Sequence, residues 1–287
     1  MQGWLVVNGF LQSNKFQQLY GYLSNAAEAE GIQLSLKTSA ELCVRLEDEL
    51  KASTPDFVIF WDKDYLLAKR LEMAGIPLFN NAEAVRVCDD KMLTAVALQG
   101  KVRMPRTVLA PKTFEGVGYT DRAFLRQAAQ SLGFPLVVKE AFGSFGAQVH
   151  LAENETQLNA IVDAIGWKPF LLQEFVHTSR GRDVRINVVG GEVFCAILRH
   201  NPNNFRSNIT GGGTGTEYTP TKAQAQLAID ACRALGLDFA GVDVLFGEDD
   251  QPILCEVNSN PHFKSAFDCT GKDMSVAIVR YIKGKLS

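Results

Sequence analysis

The chain has 287 residues, which is long enough for one large domain or for two to three small domains that each bury a core. Its formal net charge is only -3, it contains no run of Lys and Arg typical of nucleic-acid binding, and no apolar stretch is as long as a membrane span. The sequence therefore argues against nucleic acid and membrane as partners. The N-terminal residues also lack the pattern of a secretion signal, so we expect a cytoplasmic protein.

Residues 1–85 alternate predicted strands with predicted helices. This rhythm favours a small parallel sheet flanked by helices, and we expect an N-terminal α/β domain here. The segment contains no G-x-G-x-x-G, so a dinucleotide fingerprint is absent. The predicted strands cover residues 4–7, 32–36 and 57–61, and the predicted helices cover about 14–30, 40–51 and 64–74.

Residues 86–169 follow a different pattern, which predicts a small central α+β lid domain. Glycine-rich residues 143–146 form a turn between two of its strands. Helices are predicted at 90–98, 121–132 and 155–165, and strands at 134–139 and 148–151.

Residues 170–287 predict a larger C-terminal domain dominated by strands. The dipeptide Gly190-Gly191 indicates a hairpin turn between two of them. Strands are predicted at 170–176, 183–189, 192–199, 241–247 and 252–258, and helices at 222–235 and 274–282.

The last two predicted strands form a hairpin that brings two carboxylates together. A symmetric turn at residues 248–251 places Asp243 opposite Glu256. Like charges directly opposite each other are destabilising, and the two-residue period of a strand puts Asn258 on the face of Glu256. Three oxygen ligands then converge, which favours Mg²⁺ bound together with a nucleotide. The alternative is an exposed acidic hairpin with its charges apart.

Lys139 ends an apolar strand that runs directly into the glycine turn at 143–146. A lysine is rarely buried without a partner, and a glycine turn lets backbone N–H groups approach an anion closely. The combination suits a polyphosphate, although the turn could also be that of an ordinary hairpin. The P-loop signature is missing, so phosphate binding here requires a different architecture.

Residues 173–176 end a strand at the junction of the second and third blocks, where a ligand cleft is typical. Exposed backbone at such a strand end can pair with an adenine edge. Arg185, Arg199 and Arg206 lie in or beside neighbouring strands, and guanidinium groups suit carboxylate and phosphoryl recognition. We take these arginines as candidate catalytic residues, with purely structural roles as the alternative for each.

Taken together, these motifs resemble the ATP-grasp superfamily, and most closely its RimK-like branch of glutamate and amino-acid ligases. The resemblance covers roughly residues 86–283, and it implies an ATP-grasp fold preceded by a small pre-ATP-grasp domain. The motifs occur in family order: Asp90-Lys91-Met92, 134–139 with 143–146, 173–176, 183–185, 205–208, 240–244 and 256–258.

The resemblance also implies roles for individual residues. Lys91 and Lys139 would contact the phosphates of ATP, and the loop Gly143-Ser144-Phe145-Gly146 would close over them. Gln173, Glu174, Phe175 and Val176 would line the adenine and ribose slot, with Asp183 at its end. Arg206, Ser207 and Asn208 would lie near the phosphates and the reacting carboxylate. Asp243, Glu256 and Asn258 would hold Mg²⁺, with Mn²⁺ as an alternative ion.

The implied reaction is an ATP-dependent ligation that forms an amide bond and releases ADP. A carboxylate takes the γ-phosphoryl group as an acyl phosphate, and an amine then displaces phosphate. An amino acid such as glutamate would be added to an amine or peptide acceptor, so the substrates would be small molecules or peptides with carboxylate and amine groups. The resemblance also allows a homo-oligomer. Alternatives are a D-alanine ligase-like or peptide-synthesising enzyme, and an ATP-binding scaffold without turnover.

The residues after Asn258 depart from the family pattern, in which a small residue, Pro and Gly often follow. Here His262 and Lys264 lie in this segment. They could contact an acidic acceptor, or they could cap the following helix and lie on the surface.

Overall fold

A computed structural model describes residues 1–43, 45–46, 54–144 and 146–287. The first sheet is parallel, with strand order β2-β1-β3-β4, as the alternating pattern predicts. All five residues of β3 are buried, which explains its continuous apolar sequence. The elements of this part are β1 (Gln2–Val7), α1 (Asn14–Ala29), β2 (Gln33–Thr38), β3 (Phe57–Trp61), α2 (Tyr65–Met73), β4 (Leu78–Phe79) and α3 (Ala82–Asp89).

The helix predicted over residues 40–51 is not found where the chain is described. Residues 40–43 and 45–46 form turns or irregular backbone. The remainder of that predicted helix lies outside the described residues.

A second, antiparallel sheet has the order β5-β8-β6-β7. The sequence division placed residues 170–174 in the third block, but their strand pairs with both β5 and β6 and so belongs to this second sheet. The limits of the three domains remain a prediction. The elements are α4 (Lys91–Leu98), β5 (Thr107–Leu109), α5 (Ala123–Leu132), β6 (Leu136–Glu140), β7 (Val149–Ala152), α6 (Glu155–Ile165) and β8 (Phe170–Glu174).

The third sheet is antiparallel with the order β11-β10-β9-β12-β13. Helix α7 packs on it and is held by a capping box at Thr221 and by Gly236 in the left-handed conformation at its C-terminus. The elements are β9 (Arg182–Val189), β10 (Glu192–His200), β11 (Thr214–Glu217), α7 (Lys222–Leu235), β12 (Phe239–Phe246), β13 (Pro252–Asn258), α8 (Lys264–Thr270) and α9 (Met274–Leu286).

Apolar cores connect the third sheet to its neighbours. One core joins β1, β3 and α1 to α9 and includes Phe239 of β12. Another places Val87 of α3 and Leu98 of α4 against the opposite face of the third sheet, together with α7. The third sheet therefore lies at the centre of the molecule. Within the described part of the chain, no helix combines the length and hydrophobicity needed to span a bilayer.

Candidate active site

Two neighbouring cavities lie beside the third sheet. A small cavity of about 110 Å³ is lined by the second and third sheets, and a large cavity of about 370 Å³ is lined by the first and third sheets. Arg199, Asn208 and Glu256 line both. These three side chains lie where the two cavities adjoin.

The hairpin of β12 and β13 carries two of the predicted metal ligands into the small cavity. Asp243 and Glu256 are paired across the hairpin, as predicted. Next to the turn the register differs by one residue from a symmetric hairpin, since Val244 pairs with Leu254. A register shift between Asp243 and Val244 then brings Asp243 opposite Glu256. Asp243 is 3% exposed, whereas the side chain of Glu256 is 36% exposed.

Two arginines compensate the charge of Asp243. Arg185 donates to both of its carboxylate oxygens, at 2.9 Å for Oδ2, and Arg199 Nη2 lies 3.0 Å from Oδ1. Burial alone would raise the pKa of Asp243, but Arg185 and Arg199 outweigh burial and lower it. The sequence predicts a cation between Asp243 and Glu256, whereas in the structure guanidinium groups already stabilise Asp243.

Arg199 also binds Asp183, through bonds of 2.7 Å and 2.5 Å to its two carboxylate oxygens. Burial would lower the pKa of Arg199, but Asp243 and Asp183 together raise it, so this guanidinium stays charged. Arg185, Arg199, Asp183 and Asp243 thus form a continuous network, in which Asp183, Arg199 and Asp243 are buried.

Lys91 and Lys139 both line the small cavity. Lys91 Nζ donates to the carbonyl of Gly143 at 3.1 Å and lies 4.0 Å from Glu256 Oε1. Burial lowers the pKa of Lys91, Lys139 adds to this effect, and Glu256 opposes it. Lys139 Nζ lies 3.9 Å from Cys255 Sγ. Two ammonium groups therefore share a confined space with one partly exposed carboxylate.

The glycine loop lies against the segment that carries Arg206. Arg206 Nη1 donates to the carbonyls of Gly146 and of Val149, the latter at 3.3 Å. Gly146 has φ +74°, and a Cβ at this position would lie 2.9 Å from Asn208 Oδ1, so the close approach requires glycine. Ser144 accepts a hydrogen bond from Lys63 at 3.3 Å. Phe145, also predicted for this site, lies outside the described residues.

The strand end at residues 173–176 lines the small cavity, together with Asp183 and Ser207. Gln173 donates to Thr107 at 2.9 Å. The carboxylate of Glu174 accepts from Arg106 Nε at 2.5 Å and from the backbone N–H of Arg106 at 2.9 Å. Burial would raise the pKa of Glu174, but the bonds from Arg106 lower it, so this carboxylate stays ionised.

The structure brings most of the predicted site residues together, in two groups. Arg185, Asn258 and Ser144 line only the large cavity, and Gly143 lines neither but accepts the bond from Lys91. The group lining the small cavity is Lys91, Lys139, Gly146, Gln173, Glu174, Phe175, Val176, Asp183, Arg199, Arg206, Ser207, Asn208, Asp243 and Glu256.

Sequence reasoning missed the residues that the N-terminal part contributes to the large cavity. Trp61, Asp62 and Lys63 lie there, where β3 ends, together with Phe16 and Tyr20 of α1. The signal was available, because ligands bind at the carboxyl ends of parallel strands, and Asp62 and Lys63 directly follow a buried strand that ends at Trp61.

The residues proposed for Mg²⁺ agree with its preferences in ligand type. Among the described residues, no group of three or more His, Cys, Asp or Glu could hold a metal ion. The proposed set differs, since it combines the carboxylates of Asp243 and Glu256, which pair across the hairpin, with the amide oxygen of Asn258. Oxygen donors of this kind suit Mg²⁺, which takes further ligands from water and substrate phosphates. The donor types therefore fit the ion, and Glu256 is the least engaged carboxylate, since both oxygens of Asp243 already accept from guanidinium groups.

The family assignment follows from comparison with known proteins. A family model described as a RimK-like ATP-grasp domain matches residues 88–282. The chain belongs to the RimK-like ATP-grasp family. It is an ATP-grasp ligase, and the expectations for its fold and enzyme class are confirmed.

Three similar proteins illustrate the breadth of this RimK-like family. N-acetylaspartylglutamate synthase A of Homo sapiens is 31% identical over 88% of this chain and 63% of its own length. Beta-citrylglutamate synthase B of Homo sapiens is 33% identical over 82% of this chain and 60% of its own length. The chain thus spans less than two thirds of either synthase. The crystal structure of a RimK domain ATP-grasp protein from Sphaerobacter thermophilus superposes with a TM-score of 0.73, at 22% identity and coverage of 98% and 99%.

Proposed function

We propose that this protein is an ADP-forming carboxylate–amine ligase that works through an acyl phosphate and uses an amino acid such as glutamate as a substrate. The observation that carries the proposal is the pair of adjoining cavities that share Arg199, Asn208 and Glu256. A ligase of this kind must hold a nucleotide and two further reactants in contact. The two similar synthases are named for products that contain glutamate, which supports testing glutamate first.

The small cavity suits the nucleotide because it combines Lys91 and Lys139 with the strand end at residues 173–176, and five Lys and Arg line it against four Asp and Glu. Arg182 and Glu174 have partners outside the lining, Asp250 and Arg106. A polyphosphate would compensate the remaining positive excess. That excess is made by Lys91, Lys139, Arg199 and Arg206, against Asp183, Asp243 and Glu256.

The large cavity suits the other two reactants. In the first step, a carboxylate oxygen of the acyl substrate attacks the γ-phosphorus, the bond to the bridging oxygen breaks, and ADP leaves. In the second step, the amine nitrogen attacks the acyl carbon, the bond to the phosphate oxygen breaks, and phosphate and a proton are released. Lys91, Lys139 and Arg199 would stabilise the charge on the transferred group, as positioned cations do in phosphoryl transfer. Asp243, Glu256 and Asn258 would hold Mg²⁺, which supplies further charge neutralisation.

ADP release from ATP across pairs of carboxylates and amines tests the proposal. The first carboxylates are N-acetylaspartate and citrate, and the first amine is L-glutamate. We expect release that depends on both reactants and a product of the corresponding amide mass. ATP binding without release for any pair of amino acids or short peptides would contradict the proposed reaction.

Replacing Lys139 tests the assignment of the small cavity. Lys139→Ala removes a cation from the phosphate region, so we expect kcat for ADP release to fall on the order of 10²- to 10³-fold with an unchanged far-UV spectrum. Lys168→Ala is a matched control, because Lys168 pairs with Glu140 at the exposed side of the same sheet. Equal turnover in the two variants would contradict the assignment.

A further inference from the structure

The large cavity concentrates polar atoms that have no partner. In the described residues, six buried side-chain nitrogen and oxygen atoms lack a hydrogen bond. Buried polar groups are normally satisfied, so such a cluster needs an explanation. Four of the six belong to residues that line the large cavity: Asp62 Oδ2, Asn258 Nδ2, Asn260 Oδ1 and His262 Nε2.

Asp62 is the carboxylate of this cluster. It is 5% exposed, its Oδ1 accepts from Asn8 and from the backbone of Lys63, and its Oδ2 has no partner. Within the described ranges it forms no ion pair, whereas Asp89 pairs with Lys63 and Glu256 lies 4.0 Å from Lys91. A buried carboxylate without a counter-ion is costly, and a cationic ligand would remove that cost.

Asn260 adds a second acceptor to the same end of the cavity. Its Nδ2 donates to the backbone carbonyl of Asp62 at 2.9 Å, which fixes the amide and leaves Oδ1 without a donor. Phe16, Tyr20 and Trp61 line the cavity nearby. Burial raises the pKa of Tyr20 and the charge of Asp62 raises it further, so the negative field of Asp62 extends into this region.

We propose that Asp62 and Asn260 bind the ammonium group of the amine substrate, an inference that rests on the proposed ligase function. An alkylammonium group has three donors and one positive charge, which matches a carboxylate oxygen and an amide oxygen that lack donors. Both residues line only the large cavity, which meets the small cavity at Arg199, Asn208 and Glu256. An ammonium group held there must pass one proton to Asp62 or to water before its nitrogen can attack, and it lies in the compartment that adjoins the site of acyl phosphate formation.

Asp62→Asn tests the subsite, because it removes the charge and retains the shape. Hydroxylamine is uncharged at neutral pH and traps an acyl phosphate as a hydroxamate without needing an ammonium site. With ATP, Mg²⁺ and N-acetylaspartate or citrate, we expect the variant to form hydroxamate within about 2-fold of the wild-type rate, while the KM for L-glutamate rises roughly 10- to 100-fold.

Glutarate is glutamate without its amine. The ratio of its inhibition constant to the KM for L-glutamate therefore reports on the ammonium group and would not change if the substitution weakened both ligands equally. In the wild type we expect L-glutamate to bind much more tightly than glutarate, and in Asp62→Asn we expect this ratio to approach one. Asp62→Glu keeps the carboxylate and should restore part of the preference. Asp64→Asn is the matched control, since Asp64 is exposed, lies outside the cavity lining and caps α2, a role that Asn also fills.

The outcomes separate the two proposals. Absence of hydroxamate from the wild type with any carboxylate would overturn the ligase function and the subsite with it. Hydroxamate formation with an unchanged KM for L-glutamate in Asp62→Asn, or an increased KM for the carboxylate instead, would overturn the subsite alone. If Asp62→Asn fails to fold, Asn260→Leu takes its place, with the same loss of preference for L-glutamate over glutarate expected.

Discussion

Arg199 connects the two cavities and also balances two carboxylates. It binds Asp183 through two hydrogen bonds and lies 3.0 Å from Asp243 Oδ1, and all three residues are buried. Asp243 has a second partner in Arg185, but Asp183 has no other ion pair in the described residues. Arg199 therefore makes a structural contribution that a purely catalytic interpretation would overlook.

Replacing Arg199 should destabilise the fold through Asp183. Arg199→Met leaves the buried carboxylate of Asp183 without a counter-charge, and we expect the free energy of unfolding to fall by about 3–5 kcal/mol. Urea titration followed by circular dichroism measures this change. Asp183→Asn combined with Arg199→Met should recover part of the loss, because the stranded charge is then absent. A double variant as unstable as the single variant would contradict this explanation.

His262 gives the fold a dependence on acid pH. Burial lowers its pKa to about 4, and Lys15 and Arg185 contribute to the decrease, whereas the ordinary value is 6.5. The folded state therefore holds His262 neutral while the unfolded state takes up a proton, so stability is lost as pH falls from about 6.5 to about 4.

The histidine effect predicts a difference between two variants. Because His262 is only partly buried, we expect it to contribute about 1 kcal/mol to the loss of stability between pH 7 and pH 5. His262→Gln should show a smaller loss than the wild type in urea titrations at the two pH values. His200→Gln changes an exposed histidine and should retain the wild-type loss. Equal losses in both variants would contradict the assignment.

At the scale of elements, the sequence predicts best where a segment is long and its pattern is unambiguous. Helix α7 and helix α6 begin and end at the predicted residues, since capping residues and glycine mark their ends. The pairing of Asp243 with Glu256 is also confirmed, although the register shift beside Asp243 could not be read from the sequence. A bulge depends on contacts with the neighbouring strand, which have no local signature.

Short elements and strand partners were the weaker predictions. β11 and α8 were not predicted, because four to seven residues provide too few periods of the hydrophobic pattern. The sheet of β8 could not be predicted, since its apolar sequence suits any buried strand and only its pairing with β5 and β6 decides the sheet. The arginine network that stabilises Asp243 was missed for the same reason: Arg185 and Arg199 lie on strands whose order was unknown.

At the scale of the whole molecule, one buried side chain connects the first sheet to the third. Asn80 follows β4 and is fully buried. Its Nδ2 donates to the carbonyls of Phe239 and Ser259 at 2.9 Å and 2.8 Å, and its Oδ1 accepts from Asp238 and Phe239 at 2.7 Å and 3.2 Å. Asn80 therefore fixes the segment that continues into Asn260 and the large cavity.

Asn80→Ala should destabilise the junction between the sheets by more than the loss of a single hydrogen bond, because the side chain makes four. The substitution removes the side-chain hydrogen-bond partner of two carbonyls and two N–H groups in a buried region. We therefore expect the free energy of unfolding to fall by about 3–5 kcal/mol. Trp61 stacks on Phe239 across the same junction, with ring centroids 5.4 Å apart, and its fluorescence can follow urea unfolding. Asn81→Ala is the matched control, since Asn81 is more exposed, caps α3 and makes a single side-chain bond to this segment, to the carbonyl of Gly236 at 3.0 Å, and about 1 kcal/mol is expected there. Similar losses in the two variants would show that the four bonds of Asn80 do not hold the sheets together.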